Sequence, residues 1–328
     1  MLIPHKRALC IALIQALVPL LLTASSGKAQ ERGGLPDMLP LNPMAQSRTG
    51  LYFQPFLSPA SGWKASVALD HGSAIEYNIG SAGEYLLDAE LTSFNLSLRR
   101  DLGSRYFVVA GASLGTASPG FMDPFLNWYH DLLGFKMPER DLRPNDRFAY
   151  QIALPGGRSI TAGWGTRLND IRFTGGRRHN RWLQTVLTTT LPTGGGGDRY
   201  ARGTVSVSAI TTVRTPLSGR LLYEGSIGVG FSPSHGTLAD FQNETFVLLT
   251  SGLRYRILGR QSLYLNVLRH SPYYEGTGYA ALDREDLSLS YGWILSTAGG
   301  TEWKIGMVED LAPTGPAIDA IFQFGVTW

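Results

Sequence analysis

Apolar and polar positions alternate along residues 318–328. Ala320, Phe322, Phe324, Val326 and Trp328 share one face, while Asp319, Gln323, Gly325 and Thr327 lie on the other with Ile321. A period of two is a strand with one apolar and one polar side. The rhythm recurs upstream. Val205, Val207 and Ala209 alternate with Ser206 and Ser208. Leu221, Tyr223, Ile227, Val229 and Phe231 oppose Glu224, Ser226 and Gly228. Val247, Leu249, Leu253, Tyr255 and Ile257 oppose Thr250, Arg254 and Arg256, and Leu287 to Trp293 repeats the pattern. Segments near 63–70, 94–100 and 105–116 behave alike. Alternating stretches of about ten residues are the pattern of a transmembrane β-barrel.

The connections alternate too. Short ones fall near 101–104, 175–180, 215–219, 259–261 and 297–301. Long ones fall near 117–146, 193–203, 232–244, 272–285 and 310–317. Short periplasmic turns and long outer loops build such barrels. An upward first strand at 63–79 leads to about twelve strands, with both ends inside. Residues 147–174 fit one strand or two, so ten to fourteen stay open. The expected fold class is all-β, a transmembrane antiparallel barrel over residues 62–328 with one short loop helix. That helix falls at 120–135, where Phe121, Phe125, Trp128, Tyr129 and Leu132 recur at three- and four-residue spacing and Asp123-Pro124 marks a start. It is expected to cap or enter the barrel mouth. Residues 30–61 are Pro-rich and irregular, either a periplasmic arm or an insert that narrows the lumen.

The first 29 residues change the composition argument. Lys6 and Arg7 precede an apolar run from Ala8 to Leu22, and Gly27-Lys28-Ala29 supplies small residues for cleavage after Ala29. The run is shorter than the about 20 residues a spanning helix needs. The expectation is a cleaved signal peptide at 1–29 and the cell outer membrane as destination. This leader holds three of the 29 basic residues and no acid, leaving 26 basic against 26 acidic. The apparent positive balance therefore disappears and no nucleic-acid partner is implied. Cys10, the one cysteine, also falls in the leader. The remainder relies on Arg far more than Lys, a choice suited to paired networks in confined polar space.

Several segments resemble a bacterial family of predicted outer-membrane proteins with no established function. These are the helix ending HDLLGF (130–135), Arg140 and the LRPND stretch (142–146), and EDLAP (309–313) followed by Asp319. Their order and spacing cover most of the chain after the leader. A looser likeness, through GWGTRLNDIRF (163–173) and LPTG (191–194), reaches barrels proposed to pass aromatic compounds. The resemblance implies the fold and its location, and no activity.

Chemistry is sparse. Arg269-His270-Ser271 lacks the geometry of a nucleophile and base, because neighbours on a strand point to opposite faces. The histidines after the leader (His71, His130, His179, His235, His270) have no ligand spacing, so no metal and no cofactor is expected. Gly194–Gly197 lacks the Lys-Ser/Thr of a phosphate loop. No catalytic residue is assigned. Lumen or mouth candidates are His130, Asp131, Arg140, Glu224, Arg254 and Arg256. Phe322, Phe324, Val326 and Trp328 resemble the pattern that the barrel assembly machinery reads. The expected partners are outer-membrane lipid, that machinery and a small solute. The expected function is a constricted channel or binding barrel. A non-conducting scaffold or docking barrel is the alternative, and a lipid-modifying barrel enzyme has least support.

Overall fold

The computed structural model describes residues 34–80, 83–133, 143–195, 200–311, 318 and 320–328. The leader at 1–29 and Arg140 lie outside them. Fifteen strands follow in chain order: β1 (Trp63–Gly80), β2 (Gly83–Leu102), β3 (Tyr106–Ser118), β4 (Ala149–Leu154), β5 (Arg158–Thr161), β6 (Gly165–Leu168), β7 (Ile171–Arg178), β8 (Leu183–Leu191), β9 (Ser206–Pro216), β10 (Leu221–Phe231), β11 (Thr245–Leu258), β12 (Gln261–His270), β13 (Asp286–Ser296), β14 (Glu302–Asp310) and β15 (Ala320–Thr327). Three helices accompany them: α1 (Pro43–Gln46), α2 (Asp123–Leu133) and α3 (Ala280–Asp283).

Twelve of these strands close a ring. β1 to β3 and β7 to β15 pair antiparallel with their neighbours, and β15 returns to β1 with Ser66 opposite Thr327 and Ser73 opposite Ala320. The last residue tightens this seam, since Ala65 and Trp328 exchange both backbone hydrogen bonds, at 3.1 and 3.0 Å. A closed ring has no edge strand, so every ladder group has a partner without water. The stretch at 147–174 resolves in favour of few staves, for only β7 joins the wall. The β4–β5 hairpin pairs with the upper part of β2 (Tyr85–Asp88), and β6 pairs with the upper part of β3 (Leu114–Ala117).

Parity decides what each side chain meets. Leu96, Val108, Leu187, Ile227, Val229, Leu263, Ile305 and Phe324 point away from the lumen and form an exposed apolar belt. Trp63, Tyr106 and Trp328 stand exposed at the end of the barrel where the short turns lie, with Arg100 over Trp63 at 5.4 Å. Such a girdle marks a membrane boundary. A belt this wide would not persist in water on a monomer. No helix among the described residues is long and apolar enough to cross a membrane, so spanning rests on the strands.

Helix α2 departs from the expectation that it caps or enters the mouth. Its buried Met122 and Leu126 pack with Ala320 against Met307 and Phe322, whose side chains lie on the outward face. Phe125 meets the Phe322 ring at 6.1 Å. The helix therefore lies against the outer wall. Its apolar side finds outward-facing apolar partners there, and the lumen is already occupied by residues 34–60.

Candidate functional site

Residues 34–61 run through the barrel interior. Leu35, Met38, Leu41, Met44, Leu51, Phe53 and Phe56 are buried there among inward-facing Ile210, Phe246, Leu248 and Ile294. The segment is nearly devoid of regular structure, so its peptide groups need other partners. The wall supplies them. The Phe56 amide donates to Glu224 Oε1 at 2.8 Å, and the Leu57 amide donates to Gln184 Oε1 at 2.9 Å. Gln184 returns a hydrogen bond to the Pro55 carbonyl at 3.2 Å. Ser208 donates to the Gly50 carbonyl at 3.1 Å, and Arg178 donates to the Leu57 carbonyl at 2.5 Å. Arg48 spreads its guanidinium over the carbonyls of Ser232, Pro233 and Asn243 at 3.0, 3.2 and 2.9 Å.

Above this segment the loops form a roof rich in tyrosine. Tyr85, Tyr150, Tyr200, Tyr273, Tyr274 and Tyr279 are all buried. Tyr279 donates to the Ala153 carbonyl at 2.5 Å, tying the loop after β12 to the β4–β5 hairpin. Tyr274 donates to the Met44 carbonyl at 3.3 Å, tying the same loop to α1. Burial pushes the Tyr274 phenol up to about 12, against a smaller opposing effect of the Ser47 hydroxyl, so it stays a donor at any physiological pH. Tyr150 and Tyr200 meet edge to face at 5.5 Å. Among the described residues, these contacts cover the loop-side mouth.

The other end is open. A cavity of about 550 Å³ lies beneath the segment, bounded by Leu35, Phe53 and Phe56 above and by the turns at Gly259-Arg260 and Thr297-Ala298 below. Lys64, Arg172, Arg254, Arg256, Arg260 and Lys304 line it, against the acids Asp37, Asp70 and Glu302. A further cation there, Arg99, is held by Asp101 at 2.8 Å, and Arg178 reaches the same carboxylate at 2.6 Å. The cavity is a basic vestibule.

The candidates from sequence fall in three places. Arg254 and Arg256 both face the lumen at the vestibule. Arg254 is buried and holds Glu302 at 3.1 Å, Ser296 at 3.5 Å and the Gly34 carbonyl at 3.3 Å. Arg256 is half-buried and donates to the Gly219 carbonyl at 3.3 Å. Glu224 faces the same lumen but serves the inner segment. His130 and Asp131 fall on α2, which lies against the outer wall rather than in the mouth, with Asp131 exposed. Arg140 lies outside the described residues. Of the terminal pattern, Phe324 and Trp328 are exposed on the outer face, and Phe322 and Val326 are half-buried on it.

Sequence reasoning missed the tyrosine roof, the wall residues Gln184 and Arg178, and Arg48 of the inner segment. The cluster of Tyr273, Tyr274 and Tyr279 within one loop was a signal for the first. Among the described residues no group of three or more His, Cys, Asp or Glu could hold a metal ion.

A closed twelve-stranded barrel with an apolar outer belt and a polar, partly filled lumen defines an outer-membrane β-barrel. The chain belongs to the family described as protein of unknown function (DUF3187), whose model matches residues 10–328. No curated relative matches it. The COG4313 outer membrane channel from Pseudomonas putida F1 shares the fold, with a TM-score of 0.53 and 13% identity over 82% of this chain and 96% of that one. Weaker likenesses include the Ralstonia pickettii toluene transporter TbuX (TM-score 0.39, 9% identity, 82% and 88% covered) and LpxR from Salmonella typhimurium (0.44, 10%, 81% and 99%). These last two are too distant to carry an argument.

Proposed function

We propose that the protein is a constricted outer-membrane channel or binding barrel for a small anionic solute, with residues 34–61 as its gate. The observation that carries this is the vestibule. Its volume falls within the roughly 300–1,000 Å³ of small-molecule sites. Its cations outnumber its acids seven to three, with Lys64, Arg256 and Lys304 projecting inward from three different staves. Inward charge of one dominant sign selects ions of the other. Beyond its chain connection to β1, the gate is held to the wall by hydrogen bonds that water is able to replace.

A non-conducting scaffold is the second reading, favoured by the closed roof. A lock separates the two. A Cβ built on inward-facing Gly230 would lie 3.0 Å from Leu51 Cβ. That is about half an ångström inside the disulfide range, so a small shift accommodates a bridge. The protein carrying L51C and G230C, with C10S to leave no third thiol, is expected to conduct in planar bilayers when reduced and to fall silent when oxidised. Equal conductance in both states overturns the gate, and silence in both favours the scaffold.

A further inference from the structure

Helix α2 has three sides, and the barrel accounts for only one. Met122, Leu126 and Tyr129 turn toward the wall. The first two pack there, and the Tyr129 hydroxyl approaches Glu309 at 3.4 Å. On one flank of that contact, Phe121, Phe125, Trp128 and Leu132 are 73%, 45%, 59% and 66% exposed. Phe125, Trp128 and Leu132 recur at three and four residues, a single stripe on the helix, and Phe121 just before its first turn continues it. On the opposite flank lie Asp123, Asn127 and Asp131.

The strand register fixes which flank faces which end of the barrel. The apolar flank meets the rung formed by His71 and Phe322, with Phe121 stacked on His71 at 5.7 Å and Phe125 on Phe322. The polar flank meets the next rung toward the loops, formed by Ser73 and Ala320, where Ser73 donates to Asp123 at 3.1 Å. The apolar stripe therefore faces the turn end, continuous with the belt at Ile305 and Phe324, and the polar flank faces the loop end. The helix also runs around the barrel. Its start is fixed by Glu90 on β2, which accepts from the Phe121 and Met122 amides, and its middle reaches Glu309 on β14. An axis across four staves runs around the wall rather than through the bilayer, inclined to the membrane plane by no more than the strand tilt of about 35–45°.

We propose that α2 is an interfacial collar, resting at the outer boundary of the bilayer with Phe121, Phe125, Trp128 and Leu132 among the acyl chains of outer-leaflet lipid. A helix that is apolar below and polar above, and that runs around the wall instead of along it, has the form that lies in a membrane interface. Its aromatic residues occupy the level at which barrels carry their second girdle. The stripe extends a lipid-contacting surface already present, so its occupant is the lipid that covers the belt beneath it.

The test uses the full chain with C10S and single cysteines at 125, 127, 128, 131 or 132, spin-labelled and reconstituted in phosphatidylcholine vesicles. Oxygen, which concentrates among acyl chains, is expected to relax labels at 125, 128 and 132 more than a nickel chelate does. The order reverses at 127 and 131. Nickel access at all five positions would overturn the collar in favour of an aqueous lid. Exclusion of both reagents from 125, 128 and 132 would overturn it in favour of a protein contact. The native side chain is read separately: brominated-acyl lipids are expected to quench a smaller share of tryptophan fluorescence in W128F than in the parent. An unchanged share counts against the proposal.

Discussion

Gln184 and Glu224 together hold the peptide groups of Pro55, Phe56 and Leu57, which form the floor of the inner segment above the vestibule. Replacing both with alanine removes two neutral hydrogen bonds and one to a carboxylate. A neutral bond contributes about 1 kcal/mol net and a charged one about 1.5–3 kcal/mol. The freed groups border the cavity, so water recovers part of the loss, and about 2–3 kcal/mol remains. At about 1.4 kcal/mol per tenfold, the open gate should become roughly a hundredfold more populated. The measurement is open probability of Q184A/E224A in planar bilayers. Two controls fix the cause. E224Q keeps an acceptor for the Phe56 amide and should stay near the parent. T211A removes a hydroxyl that bonds Thr185 on the outer face of the wall at 3.1 Å, and should leave the gate alone. If the double variant opens no more often than T211A, hydrogen bonding to the wall does not hold the segment and the reasoning fails.

Two further outcomes follow from the same geometry. R254A/R256A removes two of the vestibule cations; a unit charge about 4 Å from a passing ion is worth about 1 kcal/mol in water, so reversal potentials should show anion preference falling by roughly fivefold to tenfold. Trp328 is exposed on the lipid side while Thr327 faces Ser66 across the seam at 2.9 Å. W328A should therefore lower the yield of heat-modifiable, membrane-inserted protein several times more than T327A, and equal losses would mean that the terminal aromatic carries no assembly signal.

The staves were legible because a barrel strand has two different solvents. Val247 and Leu249 face lipid, Thr250 and Arg254 face the lumen, and the period of two is the direct record of that division. Helix α2 was legible as a helix for the same kind of reason, through Phe121, Phe125 and Trp128. Its location was not. The outer wall and the mouth both offer apolar surface, and only the partners Met307 and Phe322, nearly two hundred residues later, decide between them. The inner segment was harder still. Leu35, Met38, Phe53 and Phe56 have no period, because each fits a local hollow in the lumen rather than a repeating face. Arg254 and Glu224 lie on inward faces, and their partners come from distant chain. Arg254 finds Glu302 on β14, and Glu224 finds an amide that belongs to no strand.

The Ala65–Trp328 seam has a consequence for the order of assembly. The inner segment leads directly into β1, and most of its anchors lie on β7 to β12, with others on β1 and β2. The ring is completed only when the last residue of β15 reaches β1. A preformed ring would have to admit the segment past the Arg99, Arg178 and Asp101 cluster at its turn end. A ring that closes last meets no such obstacle, since the staves collect around the segment while the seam is still open. The amino-terminal residues then serve as the mould on which the cylinder is rolled, and the carboxyl terminus as the stitch that shuts it.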